Sequence, residues 1–316
     1  MVHYGTVADL LGVSLGIFGS STIIFVHFKF PELRTFYRKL VFILSVYDLI
    51  TALIYSLPGY YNHFICKIQP IFIIFFVATA AFWNAVISII TFFTVIKRTP
   101  VKTLDKFQKI CHIILLVISS TMAIILIIFY HPEYNGDSYW CWVKEIKITI
   151  MIYSVWWSYA LISVLFYITT VIKIRKIFRD ISTIRDHDLR KKQRKEAKIQ
   201  LRMTMIPIIY ILVIFPTSFK RARQMANQNA KPWFVLDMFQ AFFLSTQGFW
   251  DSILFVFLIK RVRVKLFALC SCSKQKRAVI TAIPLSKDEI DYERFRNSSE
   301  DSNSDSDSKP INDGQK

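Results

Sequence analysis

Two of the five cysteines in this chain stand at the edges of apolar segments, where disulfide chemistry is expected. Cys66 opens an apolar run after the turn-like segment 58–62, and Cys141 lies between two further runs in Tyr139-Trp140-Cys141-Trp142. Both positions are predicted at one surface of a membrane, where an oxidising exterior permits a bond. Closing a loop of about 75 residues contributes a few kcal/mol. The alternative is two free thiols beside ordinary interfacial tryptophans.

Ionisable and amide side chains inside apolar runs form a second candidate set, because polar groups are costly in hydrocarbon. Asp48 and Asp251 are expected at similar depth, where, with Asn84 and water or an ion, they form a cluster that couples helix movement. Gln240 and Gln247 lie in the same run as Asp251. An equally weighted alternative is that these groups only bond neighbouring helices together.

Catalysis finds little support in the sequence. The six histidines are scattered near loops and segment ends, without the paired spacing of a metal site, and the apolar runs contain no carboxylate dyad suited to acid and base catalysis. No metal or cofactor is expected, and the chain is not predicted to be an enzyme. A retinal Schiff base is excluded because no lysine occurs in 233–259.

The elements that hold these residues are predicted to be transmembrane helices. The chain has 316 residues, of which 53% are hydrophobic, and its apolar runs are about 20 residues long, which is the length that crosses a hydrocarbon core. Such runs without alternation indicate helices, not barrel strands. The predicted fold is an all-α bundle of seven spans, at 7–27, 40–57, 66–96, 110–130, 146–172, 203–219 and 233–259.

Charge sets the predicted orientation. The connections 29–39, 97–109, 173–202 and 260–265 hold about 25 Lys and Arg residues, against about seven in the others, which places the amino terminus outside. The net charge of +18 thus reflects topology, and no nucleic-acid partner is expected. The exception is a basic patch beside the sixth span, formed by Lys220, Arg221, Arg223 and Lys231.

The cytoplasmic connections supply candidate docking and modification sites. Positive-inside topology alone explains many basic residues, but their density also favours docking of an acidic or amphipathic partner. The docking candidates are Lys97, Arg98, Arg190, Lys191, Lys192 and Arg194. The segment 260–272 is predicted to be an amphipathic helix on the inner leaflet that ends in two candidate palmitoylation sites, Cys270 and Cys272.

The predicted seven-span domain with its juxtamembrane helix is 1–272, and the remaining residues, 273–316, are too acidic and Ser-rich to fold. Two interpretations of this tail are open. It is solvated disorder alone, or it is disordered and also phosphorylated, since its serines alternate with Asp and Glu. The candidate serines are Ser298, Ser299, Ser302, Ser304, Ser306 and Ser308.

Four motifs, taken in order, resemble those of a known family. They are Phe82-Trp83 in span three, Val95-Ile96-Lys97-Arg98-Thr99-Pro100 at its end, Tyr139-Trp140-Cys141-Trp142, and Gln247-Gly248-Phe249-Trp250-Asp251-Ser252 in span seven. Together with the seven-span architecture they are similar to the cyclic-AMP-receptor-like G-protein-coupled receptors typified by slime-mould chemotactic receptors. Span three lacks the Asp-Arg-Tyr, and span seven the Asn-Pro-x-x-Tyr, of rhodopsin-like receptors.

The resemblance implies a plasma-membrane receptor that binds a small extracellular ligand, cyclic AMP or a related anion, and activates a heterotrimeric G protein. Membrane lipids and receptor kinase or arrestin-like proteins are further expected partners. The candidates for the ligand pocket or its rim are Trp83, Asn84, Trp140, Trp142, Arg221, Arg223, Lys231 and Gln247. Two alternatives stay open, a seven-helix transporter or channel and a ligand-independent receptor relative.

Overall fold

A computed structural model of the chain describes residues 2–31, 34–57, 63–97, 99–129, 132–134, 141–143, 146–182, 205–226, 233–258 and 260–270. Within these residues the fold is all-helical apart from one small ribbon, as the sequence predicts. The helices are α1 (Val2–Lys29), α2 (Phe36–Tyr55), α3 (His63–Phe92), α4 (Val101–Phe129), α5 (Ile146–Ser182), α6 (Ile206–Ala226), α7 (Phe234–Ser245), α8 (Gln247–Leu258) and α9 (Lys260–Cys270).

Helix α3 is the centre of the bundle. It packs against α2, α4, α5 and α6, and 78% of its most apolar window is buried, against 33% for α4 and 22% for α5. Its buried positions include the small residues Ala78, Ala81 and Ala85, which let the neighbouring helices approach closely. Within the described ranges, four helical segments are long and apolar enough to cross a membrane, at Val7–Lys29, Phe64–Lys97, Val101–Ile128 and Lys147–Arg179.

Helix α1 packs along α2, α7 and α8 through a seam of glycines. A Cβ atom at Gly16 would overlap the carbonyl oxygen of Ser245, and one at Gly19 would overlap the backbone of Phe249. Since a backbone cannot move aside as a flexible side chain can, only glycine permits this approach. The seam fixes α1 against the junction between α7 and α8.

The seventh span is predicted as one helix and is instead two, α7 and α8, joined at Thr246. Thr246 has φ −93° and ψ 5°, outside the helical region, and its hydroxyl donates to the carbonyl of Phe243 at 3.1 Å. The indole of Trp250 donates to the Thr246 hydroxyl oxygen at 3.1 Å. These bonds satisfy polar groups at a break that hydrocarbon would otherwise penalise.

Helix α6 contains two prolines, and they occupy different positions in the helix. Pro207 lies in the first turn of α6, where a missing N–H costs no internal hydrogen bond, while Pro216 lies inside the helix. Two short antiparallel strands that the sequence did not predict, β1 (Pro132–Tyr134) and β2 (Cys141–Val143), connect α4 to α5. Tyr134 pairs with Cys141 in this ribbon.

At the end of α3, five residues, Phe93–Lys97, form a π-helix. Buried Val95 packs against Ile174 of α5, with Ile177 and Phe178 beside it, so α5 continues as a helix beyond residue 172, the predicted end of span five. The chain divides into two units, Met1–Val262 and Arg263–Lys316, and the sequence-based division into 1–272 and 273–316 stays a prediction.

Candidate functional site

The predicted disulfide is present. Cys66, in the first turn of α3, bonds to Cys141 of β2 with 5.2 Å between their Cα atoms. Because the bond is present, the two-free-thiol alternative is wrong, and both residues are buried. The bond ties the ribbon to the start of α3 and marks one end of the bundle, called the disulfide end below. The fifth cysteine, Cys111, is buried and free.

Gln69 reinforces this tie, and sequence reasoning missed it. It is fully buried three residues after Cys66, and its side-chain oxygen accepts a hydrogen bond from the backbone N–H of Cys141 at 2.9 Å. Its amide nitrogen donates to the carbonyls of Ile54 and Leu57 at 3.0 and 2.8 Å. Gln69 therefore satisfies carbonyls at the end of α2 while it holds β2 in place.

Trp142 lies inside the bundle and not in an interfacial belt. Only 4% of it is exposed, and its ring centroid lies 6.3 Å from that of Trp156 on α5. The guanidinium carbon of Arg221 on α6 lies 5.5 Å from the Trp142 ring centroid, within cation–π range. The ribbon thus places the Trp142 ring against the buried guanidinium of Arg221.

The basic patch predicted beside span six divides into separate environments. Lys220 is buried in an ion pair with Asp237 of α7, with Nζ to Oδ1 at 2.6 Å. Arg221 is buried, whereas the guanidinium carbon of Arg223 lies 5.5 Å from the ring of Trp233 at the rim. Lys231 and Trp140 lie outside the described residues. Of the described basic residues in this patch, Arg221 is the one that faces the aromatic interior.

Arg221 is surrounded by aromatic side chains that carry hydrogen-bond donors. Its guanidinium donates to the Tyr153 hydroxyl, and the Tyr153 ring lies 5.0 Å from that of Trp156. The indole N–H groups of Trp142 and Trp156 and the hydroxyl of Tyr210 are buried without a hydrogen-bond partner among the described residues. We call this set the Arg221 cluster; its members are Trp142, Tyr153, Trp156, Tyr210 and Arg221.

Buried polar groups are normally paired, so a group of unpaired donors around a cation is informative. Each unmet donor costs on the order of 1–3 kcal/mol, which a ligand with acceptor oxygens would recover. The arrangement suits an anionic or acceptor-rich molecule. Tyr153, Trp156 and Tyr210 had no sequence signal, since aromatic residues are frequent throughout the spans.

A polar seam runs from this end of the bundle towards the helix break. Asp9 of α1 is fully buried, and its Oδ1 accepts a hydrogen bond from the Ser245 hydroxyl at 2.8 Å. Ser245 also borders a cavity of about 10 Å³, roughly the space of one water molecule. The other lining residues are Asp48, Thr51, Ala52, Val77, Ala80, Leu244, Gln247 and Gly248.

The two predicted intramembrane acids meet beside this cavity. The carboxyl groups of Asp48 and Asp251 lie within hydrogen-bonding reach of each other, and both residues are buried. Two carboxylates repel at this range, so the contact needs a proton or a cation between them. The remaining oxygen of each acid, Oδ2, has no hydrogen-bond partner among the described residues. The predicted pair is therefore brought together next to the break in span seven.

Besides Arg223, three further predicted pocket residues are not part of the Arg221 cluster. The Trp83 indole donates to the carbonyl of Leu40 at 2.9 Å, near the start of α2, and its ring stands edge-on to His112 at 5.5 Å. Asn84 donates to the carbonyl of Ala80 at 3.0 Å. Gln247 borders the cavity. The Phe82-Trp83 motif thus packs helices, with Trp83 joining α2 to α3.

Most of the predicted cytoplasmic sites lie outside the described residues. Lys97 is exposed at the end of the π-helix. Arg98, Arg190, Lys191, Lys192, Arg194, Cys272 and the six tail serines are not described, and Cys270 is described only as the last residue of α9. Among the described residues there is no group of three or more His, Cys, Asp or Glu side chains that could hold a metal ion.

The fold is the seven-helix fold of rhodopsin. The chain aligns with squid rhodopsin at a TM-score of 0.68, which covers 90% of this chain and 92% of rhodopsin, at 14% identity. At that identity the likeness shows the fold alone. No family model matches the chain.

Sequence comparison finds similar proteins among named receptors. The chain is 27% identical over 247 residues to cyclic AMP receptor-like protein A of Dictyostelium discoideum, covering 77% of this chain and 61% of the relative. It is 23% identical over 280 residues to mouse G-protein coupled receptor 157, covering 83% and 84% of the two chains. The chain is thus similar in sequence to proteins named as receptors, and its alignment spans 61% of the Dictyostelium relative's length. The relationship agrees with the expectation of a non-enzymatic receptor.

Proposed function

We propose that this receptor lies in the plasma membrane, binds a small anionic ligand from outside at the Arg221 cluster, and activates a heterotrimeric G protein at the opposite end. The observation that supports this proposal is the position of Arg221. It is buried beneath the ribbon that the disulfide ties down, among aromatic hydrogen-bond donors that have no partner in the described residues. The disulfide end is extracellular in this proposal, because a disulfide requires an oxidising side and the opposite connections carry most of the basic residues.

The ligand class follows from the charges within reach. Lys220 is held in an ion pair with Asp237, whereas Arg221 lies against the Trp142 ring in the Arg221 cluster, so Arg221 is the expected anchor for a phosphate or carboxylate. Arg presents planar pairs of donors that suit both anions. The aromatic rings of Trp142 and Trp156 supply flat surfaces on which a ring-bearing ligand stacks. The name of the Dictyostelium relative makes cyclic AMP the first molecule to test.

Replacing the anchor tests this assignment. Arg221→Gln removes the charge but keeps hydrogen-bonding capacity, and we expect ligand affinity to fall at least about 10-fold, since a charge-assisted hydrogen bond contributes roughly 1.5–3 kcal/mol. The measurement is displacement of labelled cyclic AMP from the purified receptor by a panel of nucleotides, carboxylates and neutral analogues. A panel without any binder, or a binder that Arg221→Gln leaves unaffected, contradicts the proposal.

Arg223→Gln is the matched control for this experiment. It removes the same charge from the same helix, but at the Trp233 rim outside the Arg221 cluster. We expect its ligand affinity to stay within about 3-fold of the wild type, because charges at a rim alter the association rate more than the affinity. Equal losses in both variants would point to general electrostatic attraction and not to a pocket.

We also propose that the Asp48–Asp251 pair couples ligand binding to helix movement. The seam through Asp9 and Ser245 reaches the cavity and the break at Thr246, so a shift of α7 at the disulfide end moves groups beside the two acids. Losing or gaining the proton or cation between Asp48 and Asp251 then favours one helix arrangement over another. The alternative, that the pair only joins α2 to α8, predicts lower stability without a selective effect on signalling.

Asp251→Asn separates these two possibilities. Asparagine preserves the volume and a hydrogen bond to Asp48 but removes the charge. We expect ligand affinity within about 3-fold of the wild type and ligand-stimulated nucleotide exchange reduced about 10-fold, the range of a typical allosteric coupling energy. Binding and exchange are to be measured on one preparation of known melting temperature. Unchanged exchange, or losses of binding and exchange that follow a lower melting temperature, would support the joining role.

A transporter remains the rival function from another class. Its discriminator is flux of labelled ligand into proteoliposomes, and flux without any effect on a G protein would favour it over the receptor. The proposal has three further parts. The G protein docks through Lys97, Arg98 and the 173–202 connection, and Cys270 and Cys272 are palmitoylated. A receptor kinase phosphorylates the tail serines, which arrestin-like proteins then recognise.

A further inference from the structure

The amino-terminal part of α4 carries three exposed lysines on one face. Lys102, Lys106 and Lys109 follow helical spacing, and at about 100° per residue they fall within one stripe of the helix surface. The first turn of α4 contains no acidic residue, so the positive end of the helix dipole adds to their charge. This end of α4 is opposite to the disulfide end.

A carboxylate holds two lysines from different helices in place here. Asp105 accepts from Lys39 of α2 at 2.9 Å through Oδ1 and from Lys109 at 3.0 Å through Oδ2. All of these side chains are partly or largely exposed. With one acid, Asp105, against Lys39, Lys106 and Lys109, the cluster keeps an excess of positive charge on the outer surface of the bundle.

The same face of α4 continues as an apolar stripe. Ile113, Val117, Ile124 and Ile127 recur at helical spacing after Lys109 and are 63%, 61%, 52% and 60% exposed. Helix α4 packs mainly against α3, which leaves this stripe to lipid. The lysine cluster therefore lies next to the amino-terminal end of an exposed apolar face of α4 that is about four helical turns long.

From this juxtaposition we propose that the lysine cluster of α2 and α4 binds the headgroup of an anionic phospholipid of the cytoplasmic leaflet, while its acyl chains lie along the α4 stripe. A phospholipid offers negative charge and hydrocarbon on one molecule in that order, which an acidic protein does not. Positive-inside topology explains the side of the membrane on which the lysines occur. It does not explain their alignment with the lipid-facing stripe.

The test uses the full-length receptor in nanodiscs of equal parts phosphatidylcholine and phosphatidylserine. Native mass spectrometry gives the ratio of the two lipids that stay bound to the receptor after it is released from the nanodisc. We expect the wild type to retain phosphatidylserine preferentially and Lys102→Gln/Lys106→Gln to lower that preference about 30-fold, at roughly a fivefold contribution per lysine. The charge-retaining Lys102→Arg/Lys106→Arg variant should keep the preference, which separates charge from folding.

Arg175→Gln/Lys176→Gln is the matched control, because both residues are exposed on α5 next to Ile174, at the same end of the bundle. We expect it to change the preference less than 3-fold. Equal retention of both lipids by the wild type, or an equal loss in the α5 variant, would overturn the proposal. So would full competition by soluble glycerophosphoserine, which would assign the lysines to a free phosphate.

Discussion

Gly16→Leu should nearly abolish cell-surface receptor. A Cβ atom at this position would overlap the Ser245 carbonyl and lie 3.5 Å from the Cβ of Ala52, so a larger side chain must separate α1 from α7. Overpacking against side chains costs about 1–3 kcal/mol, and a backbone obstacle places this change at or above the upper end. The measurement is surface labelling together with the melting temperature of the purified receptor.

Ser14→Leu is the control for the glycine seam. Ser14 is exposed on the same helix, and its hydroxyl donates only to the carbonyl of Leu10, at 2.8 Å. The same leucine therefore enters lipid without meeting another helix, and we expect surface levels near those of the wild type. If the Gly16 and Ser14 variants behaved alike, close packing of α1 on the α7–α8 junction would not be what stabilises this part of the bundle.

Loss of the disulfide should have the second largest effect. Cys66→Ser and Cys141→Ser each remove the bond that closes the loop from α3 to the ribbon, and we expect each to lower stability by about 2–5 kcal/mol. The double variant should be no worse than either single one, since both changes delete the same bond. Surface expression and melting temperature under oxidising and reducing conditions measure the effect.

Reduction provides an internal check on the cysteine variants. The reducing agent should lower the melting temperature of the wild type to that of the variants, and it should leave the melting temperature of the variants unchanged. Cys111→Ala controls for an unrelated thiol, because Cys111 is free. Additive losses in the double variant, or a wild type insensitive to reductant, would mean that Cys66 and Cys141 contribute by packing instead of by their bond.

The sequence was sufficient for features that depend on long, periodic signals. Runs of apolar residues predicted the helices, and two cysteines at segment boundaries predicted the disulfide. The pairing of Asp48 with Asp251 also followed, because charged residues in hydrocarbon must face one another or a cavity. The break at Thr246 did not follow, since no proline marks it and its polar groups are satisfied by Trp250 and by Thr246 itself.

The basic patch shows why nearby residues need not share a site. Lys220, Arg221 and Arg223 lie on one helix, where about 100° per residue turns them to different neighbours. Tertiary partners then decide their environments, with Asp237 beside Lys220, Trp142 beside Arg221 and Trp233 beside Arg223. Gln69 and Asp9 were missed for the same reason, since their partners, Cys141 and Ser245, are distant in sequence.

The proposed receptor must convert ligand binding into nucleotide exchange on a G protein. The decisive measurement is exchange on a co-expressed heterotrimer, with the receptor exposed in turn to each member of a panel of anionic ligands. We predict that at least one anion raises exchange above the ligand-free level in the wild type and fails to do so in Arg221→Gln at the same concentration. Ligand flux through the wild-type protein without any change in exchange across the panel would contradict the account.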